Sequence, residues 1–446
     1  MKSNNNSNNN NNNNNNNSIS SSIFSRIGEV VSRPVPGMVR AKETNRIVTS
    51  TTSSSSGPSS SSSSSSSSLS GLKTPSTPPS HSISNNTSVN TGKLQTPSSS
   101  SSLSSLSFSN IPKSTSNDTI TTHKPYRLAK FEQILHTENV DLDALRKLSW
   151  SGIPSQFRTI VWQLLLGYMP ANKSRREQAI TRKRKEYVES IPIYFDTLES
   201  DRTTQEGETL RQILVDLPRT SPDTPFFQQH AIQHAMKRIL FIWSSRHPAS
   251  SYVQGMNDLL TPLLLVCMYP YFNDVLRCDV EQLGSNVLME VEADAYWCLS
   301  KLLDGIQDHY TFSQPGVQRM VLRLEDLMNR IDADLHNHFN NEGVLYMQFS
   351  FRWMNCLLLR EIPLKAMLRV WDTCLAEDSG GFENFHVYVC AVLLQTFKET
   401  LLTMQFQDII MFLQEMPTSE WGEEDVEPIL SQAFILSTLF DNSSLL

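Results

Sequence analysis

Two short stretches of this chain carry side chains whose type and setting suit work on a phosphate. In ILVDLPR, residues 213–219, Ile213, Leu214 and Leu217 form the apolar stripe of a helix, Pro218 halts it, and Arg219 follows at once. Leu217 precedes the proline and is expected to leave helical geometry, so the helix should close near Asp216. Arg219 then stands on a stiffened turn with a second break at Pro222. Asp216 is close enough in sequence for a bidentate contact that would limit the freedom of the guanidinium. The plainer alternative is a surface ion pair of little consequence. The second stretch is RHPASSYVQGMNDLL, residues 246–260, where Pro248 and two serines break the chain. Gly255 allows close backbone approach, and Asn257 and Asp258 are placed to cap the apolar helix that follows. Gln254 therefore sits at a loop–helix junction with its amide free to donate and accept; here the plainer alternative is an ordinary capped helix start. Taken together, an arginine and a glutamine on stiff loops are the two side chains that GTP hydrolysis needs. The first neutralises charge developing on phosphoryl oxygens and is worth about 10³–10⁵ in rate, while the second orients the attacking water.

Other reaction centres are not written in the chain. There is no GxxxxGK[ST], GxGxxG, HExxH or GxSxG motif. His230 and His234 have a ligand-like spacing on an expected helix, but no third ligand lies nearby in sequence, and the packing or surface reading outweighs the metal one. The six cysteines lack CxxC spacing and mostly lie in apolar runs, which suits reduced, buried thiols of a cytosolic protein. An Asn tract follows Met1–Lys2 where a secretory leader needs an apolar core, and the most apolar stretch, Leu259–Phe272, is interrupted by Pro262 and Pro270. If the chain takes part in catalysis, a partner completes its machinery.

The elements that must hold the two loops read as helices throughout. Residues 1–124 carry ten Lys/Arg and three Asp/Glu and are dominated by Asn8–Asn17, Ser59–Ser68 and scattered Pro and Ser. Such sequence buries too little apolar surface to offset the entropy of ordering and is expected to be disordered. Residues 125–446 then carry a net charge of −14, given −7 for the whole chain, which argues against general nucleic-acid binding. In this part Val161, Leu164, Leu165 and Tyr168 recur at helical spacing behind Pro154, as do Ile232, Met236, Ile239 and Trp243. NDLLTPLLLVC is apolar all round, as a helix inside a large core would be. Residues 199–208 read as a polar connector, and 274–286 and 376–383 as loops. The fold expected is all-α, with a dozen or more helices and no repeat of fixed period.

At this point the motifs resemble those of the TBC domain family of Rab GTPase-activating proteins. ILVDLPR is similar to that family's IxxDxxR motif and YVQG to its YxQG motif. SGIPSQFRTIVWQLLLGY has Arg158 and Trp162 in the family's RxxxW spacing, and REIPLKAMLRVWDTCLAE resembles its PLxxxLRxWD signature. The wording of RHPASSYVQGMND and MPTSEWGEEDV is most like the group called TBC domain family member 22. The resemblance implies a large multi-helix TBC domain of two helical lobes over residues 146–420. A disordered region, 1–124, and a helical lead-in, 125–145, would precede it, and a helical extension, 421–446, would follow. It implies that Arg219 and Gln254 act as arginine and glutamine fingers on a GTP-bound Rab, with Arg158 and Asp216 bracing the first loop. Tyr252, Gly255, Asn257 and Asp258 would shape the second, and Trp162 would support or contact the Rab. No cofactor would belong to the chain, because GTP and Mg²⁺ come with the substrate. A cytoplasmic protein recruited transiently to Golgi or endosomal membranes is the expected setting.

Some features stand outside this scheme. Residues 173–185 hold seven basic residues and one acid, a solvated helix face or a patch for an anionic membrane at about 1 kcal/mol per basic residue. Ile23, Ile27, Val30 and Val31 have helical spacing within the tail, and Thr74, Thr77 and Thr96 precede prolines and are open to phosphorylation. Met256 and Leu259 read as core, and Arg352, Arg360 and Arg369 as packing or surface residues on helices. A non-catalytic helical scaffold that binds a Rab or a membrane adaptor is the competing reading of the whole.

Overall fold

The computed structural model describes residues 117–378 and 380–440, with side chains from 126 onward. The disorder expected of the tail before residue 117, the apolar spacing at 23–31 and the three Thr–Pro sites lie outside the described residues. Among those described, seventeen α-helices joined by short 3-10 and π turns account for the fold, and the only extended pairing is one isolated bridge between Asn139 and Asn172. None of the described helices is long and apolar enough to cross a membrane. The first helix, α1, spans Asn117–Leu135 and so begins inside the segment read as tail.

The centre is α8, Met256–Met268, in which all thirteen residues are buried, as its uninterrupted apolar sequence requires. Four helices pack around it: α3 (Ser155–Leu165), α7 (His230–Arg246), α9 (Ser285–Gly305) and α13 (Leu364–Ala376). α4 (Arg176–Ser190) covers α9, and α5 (Thr204–Asp216) lies on α7. On the far side α10 (Pro315–Ile331) packs on α12 (Tyr346–Asn355) and α14 (His386–Thr396). One expectation changes here. The connector at 199–208 contains the start of α5, because Thr203 and Glu206 form a reciprocal capping box that satisfies two orphan N–H groups. The C-terminal segment is helical, as expected, and packs on the core. Helix α17, Glu423–Phe440, buries Val426, Ile429, Leu430, Ala433 and Leu436 against α13 and α14.

The four motifs of the sequence fall into two separate constellations. Asp372 of α13 is fully buried and accepts hydrogen bonds from the Ile153 N–H at 2.8 Å, Arg158 Nη2 at 2.9 Å and Trp162 Nε1 at 2.7 Å. Arg158 Nε adds a second guanidinium contact at 3.1 Å, and Trp162 stacks on Trp371. Burial pushes the Asp372 carboxyl upward, and Arg158 opposes that shift. This corrects the expectation for Arg158, whose guanidinium is committed to the WD segment and to Glu423 with no bond to residues 213–220, while the buried Trp162 supports the WD segment and is not open to a partner. Arg369, also buried, grips Glu427 with Nε at 2.7 Å and Nη2 at 3.0 Å, so two arginines fasten α17 to the core. The basic segment is likewise partly consumed. Arg176 donates to the Pro170 and Ala171 carbonyls, Arg184 pairs with Glu290 and Asp294, and Lys183 stands 3.6 Å over the Trp297 ring.

His230 and His234 lie on α7 with ring centroids 6.2 Å apart and His234 edge-on to Phe195; no third metal-binding side chain joins them among the described residues. Five cysteines are buried, Cys278 is half-buried, and all six are unpaired thiols. His386 on α14 is buried with Nε2 3.1 Å from the Trp353 carbonyl oxygen, so Nε2 carries the proton there.

Two outcomes follow from these buried groups. Asp372→Asn leaves the buried Arg158 with only the half-exposed Glu423, 3.4 Å away, as counter-charge and is expected to cost about 3 kcal/mol, read as a lower urea midpoint. Burial pushes His386 down to about 4, whereas an unfolded chain binds that proton near the ordinary value of about 6.5. The unfolded state therefore holds more protons between these values, and stability is lost as pH falls through that window. Between pH 7 and 5 this group costs the wild type about 2 kcal/mol; in His386→Gln that share of the acid sensitivity should vanish from paired urea titrations.

Candidate functional site

The second constellation joins the two loops singled out above. α5 does close at Asp216, yet Leu217 keeps right-handed helical angles (φ −58°, ψ −47°). The chain tightens into a single 3-10 turn, Leu217–Arg219, with Pro218 inside it. A 3-10 turn needs no bond from the proline nitrogen at that place, so the helix ends by narrowing rather than by swinging into an extended strand. Arg219 is 47% exposed, and its Nε donates to Asp216 Oδ1 at 2.9 Å, with Nη2 on the same oxygen. The contact is thus not the two-oxygen fork expected from sequence, because Asp216 Oδ2 is already taken.

What takes it is Tyr252, from the other loop. The buried Tyr252 hydroxyl donates to Asp216 Oδ2 at 2.6 Å and lies 3.0 Å from Asn257 Oδ1. Burial first, and the Asp216 charge second, hold this phenol well above its usual pKa, so it stays a donor. Asn257 Oδ1 accepts from the Gly255 N–H at 3.0 Å, and its Nδ2 donates to Thr220 Oγ1 at 2.9 Å. Thr220 Oγ1 donates back to the Asp216 carbonyl at 2.9 Å. Asp216, Tyr252, Asn257 and Thr220, all buried, therefore form a closed ring of polar contacts that staples one loop to the other. Arg219 and Gln254, the two residues raised above it, are exposed.

Asn257 and Asp258 do not cap α8, contrary to expectation; Gly255 occupies the cap position without a side-chain bond. Asp258, buried, instead accepts from Arg360 Nε at 3.0 Å, and burial is the main influence lifting its pKa. Gly255 has φ 109°, and a Cβ there would meet Asn355 Nδ2 at 2.4 Å, so both conformation and space demand glycine. Met256 and Leu259 are fully buried core residues. Arg352 pairs with Glu361, and Arg360 lies in the turn after α12 rather than on a helix. Sequence reading missed Thr220, Asn355 and Gln314. Asn355 Nδ2 donates to the Gln254 carbonyl at 2.8 Å from 101 residues away, a separation that no local pattern encodes.

With this geometry in hand, comparison with known proteins gives a consistent picture. A model of the Rab-GTPase-TBC domain matches residues 155–402, a span that contains both constellations apart from Ile153 and the α17 carboxylates. TBC1 domain family member 22B of Homo sapiens is 48% identical over 323 residues, covering 72% of this chain and 63% of that protein. GTPase-activating protein gyp1 of Schizosaccharomyces pombe is 47% identical over 319 residues, covering 71% and 62%. The matched region thus spans less than two thirds of the length of either relative. The crystal structure of the Ypt/Rab-GAP domain of Gyp1p superposes with a TM-score of 0.67 at 44% identity, over 71% of this chain and 99% of that domain. The chain belongs to the Rab-GTPase-TBC domain family.

Proposed function

We propose that this protein accelerates GTP hydrolysis on a Rab-family GTPase in trans, and through it regulates vesicle traffic at Golgi or endosomal membranes. The observation that carries the proposal is the buried ring, which holds an exposed arginine and an exposed glutamine on two fastened loops. The relatives named above include a GTPase-activating protein and a Ypt/Rab-GAP domain, which supports the same reading. GTP and Mg²⁺ come with the GTPase, and in its GTP-bound form the partner presents the bond to be cleaved. Arg219 enters the nucleotide site and places its guanidinium against charge that develops on the γ-phosphoryl oxygens. Asp216 keeps that guanidinium extended before docking, so little side-chain freedom remains to be lost. Gln254 offers an amide that accepts from and donates to the attacking water. Leu214 and Val215, exposed on α5 just before the finger, offer apolar surface to a partner.

Single-turnover GTP hydrolysis across a Rab panel with the full chain tests this. Arg219→Ala is expected to lose about 10²-fold or more in maximal rate, with binding weakened much less. Gln254→Ala should fall in the same direction. A wild type that binds a Rab and accelerates none would instead make the chain a scaffold. In Tyr252→Phe the lost hydroxyl leaves Asp216 Oδ2 buried and unpaired. Stability should drop by about 1–3 kcal/mol by urea titration, and the maximal rate should fall while the half-saturating concentration holds within about twofold.

A further inference from the structure

Phe312 is 88% exposed, the highest among the large exposed apolar side chains described. A single exposed apolar residue is ordinary on a protein surface. The way this one is presented is not. Its flanks are fixed on both sides. Tyr310 is buried and donates from its hydroxyl to the Asn355 carbonyl at 2.7 Å, and His309 is fully buried. Gln314 closes the turn with Nε2 donating to the His309 carbonyl and to Asn355 Oδ1, both at 2.8 Å. Asn355 in turn donates to the Gln254 carbonyl. The turn carrying Phe312 is therefore two hydrogen bonds away from the backbone of the glutamine loop.

Backbone strain marks the same neighbourhood. Among the described residues six non-glycine positions have positive φ: Ser221, Ser251, Ser313, Gln314, Leu357 and Leu358. Ser221 follows Arg219, Ser251 precedes Gln254, Ser313 and Gln314 follow Phe312, and the two leucines follow Asn355. Each such residue is strained and persists only where its surroundings fix it. The strained positions fall on the two finger loops and on the two segments that meet at Asn355, and on no other described part of the chain.

We propose that the Tyr310–Gln314 turn is a third element of the partner-facing site, and that Phe312 is the apolar contact through which the GTPase docks beside the glutamine loop. The inference rests on the GTPase-activating reading for the identity of the partner. A rigid turn that holds an aromatic ring in water has little side-chain freedom to lose on contact, which is the economy of a preformed interface anchor. Because Gln314 and Asn355 link the turn to Gln254, docking at Phe312 fixes the register of the loop that carries the amide.

The test is Phe312→Ala in the full chain, where high exposure means that the fold and its melting temperature should be unchanged. In single-turnover assays on an accelerated Rab, the half-saturating concentration should rise about tenfold, the scale of an interface anchor, with maximal rate within about twofold. An unchanged half-saturating concentration overturns the proposal. So does loss of sedimentation with phosphatidylserine-containing vesicles while Rab affinity holds, which would make the ring a membrane contact. If the wild type binds a GTP-loaded Rab without accelerating it, the catalytic reading fails separately. Direct binding of Phe312→Ala then decides the docking contact: about tenfold weaker sustains it, equal affinity ends it.

Discussion

One carboxylate, that of Asp216, decides how the two loops stand to each other. It is buried at the end of a helix, it carries charge, and it has two oxygens to satisfy. One oxygen holds Arg219 and the other receives Tyr252, so the electrostatic needs of a single buried acid tie a cation on one loop to the chain of the other. Thr220 and Asn257 close the circuit through neutral bonds. A buried acid with both oxygens engaged resists rearrangement, because any motion of one loop relative to the other breaks a contact in low dielectric. Arg219 and Gln254 are thereby prepared before a partner arrives, although each is open to solvent.

A second buried acid, Asp372, does for the scaffold what Asp216 does for the site. It gathers the start of α3, an arginine and a tryptophan onto α13, behind the central helix rather than at the surface. Two of the four sequence motifs thus build the frame and two build the working edge. The frame presents α8 as a rigid rod, and the YVQG stretch leads directly into its first turn.

Much of this was legible from sequence, and the limits have physical causes. The helical class, the break after Asp216, the burial of Met256 and Leu259 and the need for glycine at 255 all follow from local rules of spacing, proline and steric room. The role of Arg158 was not legible. Its partner lies 214 residues away, so motif adjacency in one dimension gave no guide to adjacency in three. Asn257 was misread because a side chain next to a helix start can satisfy a cap or a neighbouring loop, and here the local bond from Gly255 and the cross-loop bond to Thr220 won. The start of α5 was hidden by polar composition, since a capping box is itself polar.

The fastening of α17 carries a consequence for how the chain is made. Arg158 and Arg369 are synthesised before Glu423 and Glu427, and Arg158 also precedes Asp372 by more than two hundred residues. During translation each guanidinium waits for its acid, Arg158 for Asp372 and Arg369 for Glu427, and a nascent core cannot close over either one sooner without stranding an ion in an apolar interior. The closing of α3 onto α13, and of α13 under α17, therefore follows the synthesis of those acids.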